Sequence, residues 1–154
     1  MSALTKQRPS VRYRPMALSD VAICLGLLAQ LGYELERREA ERRSLAITGL
    51  PGHSLLVAAA GEQIVGLLHI YARPALEKPP EAVVQAVVVD RSFRGGGIGK
   101  AFMAAAERWA AERGYHSVSL SSNVVRAEAH AFYEAIGYRR FASSHLFRKE
   151  LPPR

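Results

Sequence analysis

The chain has 154 residues, 49% of them hydrophobic and 23% charged, with 21 Lys and Arg against 14 Asp and Glu, a formal net charge of +7. A chain of this length buries roughly 68–70% of its unfolded surface, which excludes a small stapled scaffold and a disordered segment. The single cysteine, Cys24, excludes an internal disulfide, no Cys/His run has zinc-ligand spacing, and no apolar stretch reaches the ~18 residues of a membrane span, so the expectation is a metal-free cytoplasmic protein.

Residues 1–10 are expected as a basic tail and 11–151 as a single domain. Val11 to Met16 alternates as a short strand would, and Ser19 stands where a helix N-cap belongs. Val21, Cys24, Leu25, Leu28 and Leu31 follow at helical spacing, with Cys24 as a small core residue, and Gly32 stops the helix. Leu35 to Leu50 is predicted as a second, exposed helix in which Glu39 and Arg43 stand one turn apart. Ser54 to Ala60 and Ile64 to Ala72, joined by Gly61-Glu62-Gln63, read as an antiparallel hairpin.

Three prolines, Pro74, Pro79 and Pro80, mark Arg73 to Pro80 as a loop. The uniformly apolar run from Val83 to Val89 then implies a central strand covered on both faces. Asp90 to Gly97 is a loop, and Ile98 to about Arg113 a helix with Ile98, Phe102, Ala105 and Trp109 on one stripe, ended by Gly114. Tyr115 to Ser121 reads as a strand, Ala127 to Ile136 as a helix, and Tyr138 to Leu151 as two short strands around Ser143-Ser144. The order β α α β β β α β α β β is α/β in the broad sense (α+β), a mixed, mostly antiparallel sheet flanked by helices with one parallel crossover.

Arg91 to Lys100, RSFRGGGIGK, joins the central strand to the helix with three bases, four glycines and no acid. Glycines let backbone N–H groups close on phosphate oxygens, and the helix N-terminus adds about half a unit of positive charge there. A P-loop would need Gly at Arg94 and Ser or Thr at Ala101, and a dinucleotide-binding G-x-G-x-x-G from Gly95 would need Gly at Lys100, so neither pattern fits. A glycine loop with incidental charge is the alternative.

Arg94-x-x-Gly97-x-Gly99 after a strand ending VVVD resembles the acetyl-CoA signature of the GNAT superfamily of N-acetyltransferases, and SSNVVRAEAHAFYEAIGY, from Ser121 to Tyr138, resembles that family's second motif. The two span residues 83–138, and the flanking elements also fit. The resemblance implies acetyl-CoA as co-substrate and no metal. It implies that Arg94, Gly95, Gly96, Gly97, Ile98, Gly99 and Lys100 hold the pyrophosphate, and that the main chain of Val87, Val88 and Val89 pairs with the pantetheine arm, an N–H near Val88 polarising the thioester carbonyl. Asn123 would bond that arm or adjoining backbone, and Arg126 is either a phosphate contact or a solvated helix-start residue.

Tyr133 resembles the family tyrosine beside the coenzyme sulfur, where a phenol with a pKa near ~10 can protonate a leaving thiolate; a core role is the alternative. An acceptor ammonium must lose a proton before it attacks. Glu81, thirteen residues before Arg94, stands at an offset where some protein-acetylating members place a base, with relay through ordered water as the rival and Gln85 able only to orient. The five histidines, His53, His69, His116, His130 and His145, lie on different elements and read as mostly structural.

The function implied is acetyl transfer from acetyl-CoA to a primary amine by direct attack in a ternary complex. The alternative is a non-catalytic acyl-CoA sensor of the same fold, separated from the enzyme at Tyr133 and Glu81. Glutamates and arginines of residues 34–43 nearly cancel, so a strongly polycationic acceptor is not favoured over a small amine, amino acid or peptide. A pI near 10.0 raises nucleic acid as a partner, but no nucleic-acid-binding motif accompanies the charge; a homodimer is compatible with the chain.

Overall fold

A computed structural model describes residues 10–122 and 126–154. The chain divides into two compact units, residues 1–121 and 122–154. The first holds β1 (Val11–Pro15), α1 (Val21–Gln30), α2 (Arg37–Thr48), β2 (His53–Ala60), β3 (Gln63–Arg73), β4 (Glu81–Val89), α3 (Ile98–Glu112) and β5 (Val118–Leu120); the second holds α4 (Ala127–Ala135). The five strands form one sheet in the order β1-β2-β3-β4-β5. All neighbours are antiparallel except β4 and β5, which are parallel across the α3 crossover. This is the α+β architecture implied by the order of apolar runs.

Helices cover the sheet on both sides. The α1 side carries a cluster of Cys24, Leu27, Val57, Ala59, Ile64, Leu67 and Val88. Cys24 is an inert core thiol there, its pKa pushed up to about 11 by burial first and by Asp20 second, with Arg14 opposing. On the other face Phe102 of α3 lies against Gly66, where an added Cβ would stand 2.6 Å from Phe102 Cε2. The buried stripe of α3 is Ile98, Phe102, Met103, Ala106, Trp109 and Ala110, so Ala105 sits beside the stripe rather than on it. A side chain as buried as Phe102 contributes roughly 1.5–3 kcal/mol, and with Leu68, Ile70 and Met103 it anchors the centre of the sheet.

Several boundaries moved for identifiable reasons. Ser19 is not the cap of α1; a 3-10 turn at Leu18–Asp20 precedes the helix, and the buried Asp20 carboxylate accepts from Ala17 N–H at 2.7 Å and from both Arg14 guanidinium nitrogens at 2.7 and 2.9 Å. A carboxylate with a cation available outcompetes a hydroxyl at that position. In α2 the Glu39–Arg43 pair forms as spaced, at 2.8 Å, and Arg42 joins it. β4 begins at Glu81, two residues before the apolar run, because Arg73 and Glu81 are ladder partners and ion-paired.

The two strands expected within Tyr138 to Leu151 do not form. Residues 138–154 carry no regular element, and Phe141, Leu146, Phe147 and Leu151 are exposed. A segment makes a strand only where a ladder partner takes up its backbone groups and a face is buried.

Candidate active site

β4 carries the site's geometry. Its pairing with β5 covers only Ala82, Val83 and Val84, whereas β4 continues to Val89. From Gln85 onward, among the described residues, no strand pairs with the β5 side of β4, which runs on to the glycine loop. A bulge stands where that pairing stops: His69 faces Ala86 and Ile70 faces Val84, leaving Gln85 between them. Bulges re-aim backbone groups locally. Val88 sends its side chain into the α1 cluster, so it can offer a ligand only its main chain.

Asp90, which ends β4, fixes the start of the loop. Its N–H donates to Val65 O at 2.8 Å, and its carboxylate accepts from Ser92 N–H at 2.9 Å and from Gln30 Nε2 at 3.2 Å. Gln30 Oε1 accepts in turn from Arg91 N–H at 3.0 Å. Nothing in the sequence pattern singles out Gln30, because its role depends on α1 ending beside the loop. The Asp90 carboxyl lies below its ordinary range, mainly through the Ser92 backbone bond.

Within the loop Gly95 and Gly97 have φ of +80° and +86°, the left-handed region where other residues are strained. A Cβ on either would meet nothing within 4 Å. These glycines are therefore set by backbone conformation, and they border open space. Gly97 is the N-cap of α3 and supplies no side-chain acceptor, while the first helical bond runs from Ala101 N–H to Gly97 O at 2.9 Å. The first-turn amides are thus left for an external anion. Arg94 and Lys100 are exposed beside them, Arg94 Nε donating to Val89 O at 3.2 Å; Ile98 is buried, so it offers backbone only. Uncapped amides, left-handed glycines, open space and two cations fit a pyrophosphate-bearing coenzyme.

The expected base Glu81 is already engaged. Its carboxylate pairs with Arg73, lies 4.0 Å from Lys78 Nζ and accepts from Ser117 Oγ at 3.3 Å. Burial alone would raise its pKa, but the bonds from Arg73, Ser119 and Ser117 and the Arg73 charge hold it below the usual carboxylate range. Arg73 Nε is buried without a partner.

The β2–β3 register brings together a group the sequence left scattered. His53 is opposite Tyr71, its ring stacked on the tyrosine at 5.2 Å and 11°, and His53 Nδ1 lies 3.0 Å from His69 Nε2. Strand alternation puts His53, His69, Tyr71, Arg73 and Glu81 on the face that carries Val57, Leu67 and Val88, beyond the α1 cluster. A hairpin register is needed to see this.

In the second unit Tyr133 is half-buried between Phe132 and Tyr138, with ring centroids at 5.2 and 6.1 Å. Burial pushes its phenol above the ordinary value, with the Arg126 charge opposing, so it holds its proton at neutral pH. Arg126 is exposed just before α4. Asn123 lies outside the described residues. Among the described residues no group of His, Cys, Asp and Glu is placed to hold a metal ion, and no helix is long and apolar enough to cross a membrane.

The profile of the acetyltransferase (GNAT) family matches residues 25–138, which include β4, the glycine loop and α4. The chain belongs to the GNAT acetyltransferase family. It is accordingly an acyltransferase of the GNAT type. It is 26% identical over 117 residues to an aminoglycoside N(6')-acetyltransferase type 1 of Stenotrophomonas maltophilia, covering 73% of this chain and 76% of that protein. It is 32% identical over 94 residues to the N-acetylaspartate synthetase of Homo sapiens, covering 61% of this chain but only 30% of that protein. The solved structure of an aminoglycoside N-acetyltransferase in complex with CoA shares the GNAT fold, with a TM-score of 0.84 at 18% identity over 96% of this chain and 100% of that one.

Proposed function

We propose that this GNAT protein transfers the acetyl group of acetyl-CoA to a primary amine of a small molecule or peptide, by direct attack in a ternary complex in the cytoplasm, within one domain spanning residues 11–151. The observation that carries the proposal is the uncapped α3 N-terminus behind two left-handed glycines, at the end of a strand whose pairing with β5 stops at Val84 among the described residues. In this proposal the amides of residues 95–100, with Arg94 and Lys100, hold the pyrophosphate, while Val87 to Val89 pair with the pantetheine arm and Asn123 and Arg126 add contacts from the second motif. Val88 N–H would polarise the thioester carbonyl.

Tyr133 protonates the departing thiolate, a role suited to a phenol that burial keeps protonated. Glu81 is the carboxylate on the acceptor side. Held ionised by Arg73 and two serines, it is a weak proton acceptor. The α2 acids are tied to Arg37, Arg42 and Arg43 on their own helix, which supports an acceptor without many positive charges.

The test is release of CoA thiol when acetyl-CoA meets sisomicin, L-aspartate and a peptide with a free N-terminus. Thiol release with formation of the acetylated amine is expected for at least one of them. Tight acetyl-CoA binding without turnover across a broad amine panel would instead establish the sensor alternative.

A further inference from the structure

Proton removal from the acceptor lacks a good recipient in Glu81, and the sheet face beside β4 offers another. His69 stands opposite Ala86, the residue just past the β4 bulge and one strand spacing, about 4.8 Å, from the part of β4 beyond its recorded β5 pairing. Its Nε2 is bound to His53 Nδ1 at 3.0 Å, which leaves Nδ1 as its second ring nitrogen. His53 lies one strand farther out, is partly exposed, and is held in orientation by the stacked Tyr71 ring.

We propose that the His69–His53 pair is the route by which the acceptor's proton leaves the site, an inference that rests on the N-acetyltransferase reading above. The acceptor's ammonium first passes a proton to His69 Nδ1; the freed amine then attacks the acetyl carbon, and its second N–H proton is lost to solvent as the amide forms. The proton on His69 Nε2 passes to His53 Nδ1, and His53 Nε2 releases its own proton to water. The C–S bond breaks and the thiolate takes the Tyr133 proton, which solvent restores. No charge is stored on His69 between turnovers, and the return of the pair to its starting tautomers completes the cycle.

The electrostatics agree with a relay. Burial first, and the neighbouring His53 second, push His69 down to about 4, so it is neutral at physiological pH and ready to accept a proton only as it passes one on. The groups facing the pair are few. β3 contributes Tyr71 and Arg73, and β4 contributes Glu81, whose charge Arg73 neutralises. α1 turns Cys24 and Leu27 to the sheet, and α2 turns Ala40 and Ser44 inward while Glu39, Arg42 and Arg43 pair on its exposed side. His69 is the catalytic member; His53 and, through stacking, Tyr71 position and discharge it.

The experiment follows kcat, KM and acetyl-CoA affinity against pH for His69→Ala and His53→Asn in the full chain, with whichever of sisomicin, L-aspartate or the peptide wild-type protein acetylates fastest. Loss of a proton acceptor typically costs about 10²-fold or more in rate. Both variants should therefore lose kcat on that scale with acetyl-CoA affinity unchanged, and free imidazole should restore part of the His69→Ala rate, which a packing role would not allow. Wild-type kcat and pH profile in His53→Asn overturn the relay, even if His69→Ala does not fold, as does a slow His69→Ala that imidazole leaves unchanged. No thiol release from wild-type protein with any of the three amines removes the underlying reading and the relay with it, whereas thiol release that both variants retain removes the relay alone.

Discussion

Gly97→Glu separates the backbone role of the glycine loop from its electrostatic role. At φ +86° any side chain is strained, by about 1–2 kcal/mol. A Cβ there meets nothing within 4 Å, so the protein should still fold, with strain as the whole cost. The carboxylate, by contrast, would sit on the uncapped first turn of α3, where it would satisfy the amides itself and repel an incoming phosphate. Two unit charges about 4 Å apart at an effective dielectric near 20 interact by about 4 kcal/mol, which corresponds to about a 10³-fold loss of acetyl-CoA affinity at low salt. Salt should shrink that loss. Gly97→Ala is the control, because it carries the strain without the charge. Calorimetric titration of acetyl-CoA into both variants, with thermal denaturation alongside, gives the comparison. Dissociation constants for Glu and Ala variants within about threefold of each other, less than 1 kcal/mol, would refute an anion site at this helix end.

Tyr133→Phe should lower kcat by about 10²-fold with acetyl-CoA affinity nearly unchanged; steady-state rates beside calorimetry test this, and an unaltered rate returns Tyr133 to a packing role. Gly66→Ala forces a methyl to within 2.6 Å of a Phe102 ring that has no exposed surface and cannot swing away. The expected cost is about 1–3 kcal/mol in urea unfolding, and a neutral result would mean that α3 and β3 separate more easily than the packing implies. The bonds from Arg14, then Ala17 N–H, hold Asp20 below the ordinary carboxylate pKa against a burial penalty. Its stabilisation is therefore complete above the unfolded pKa near ~3.9 and is lost as pH falls through the lower folded value. Asp20→Asn should accordingly flatten the fall of melting temperature in acid, and identical acid limbs would remove Asp20 from the balance.

Local chemistry was enough to mark the glycine loop. Two left-handed turns call for glycine whatever surrounds them, and a loop of three bases and no acid suits an anion. These demands act over ten or twenty consecutive residues, so Arg91 to Lys100, the following helix and the first five strands were legible from the sequence. Misplaced features were decided by which side chains pair. Arg14 and Asp20 displaced Ser19 as the organiser of the first helix start, Arg73 extended β4 back to Glu81, and residues 138–154 carry no regular element.

The sequence by itself carried the resemblance to the GNAT family and placed the glycine loop, because both signals lie in short runs of neighbouring residues. Only the tertiary structure decided what Glu81 and the two histidines meet. Arg73 ion-pairs Glu81, and His53 and His69, sixteen residues apart, meet only through the register of a bulged hairpin. A register of that kind is set by how the whole sheet buries its faces, which no local run of residues specifies.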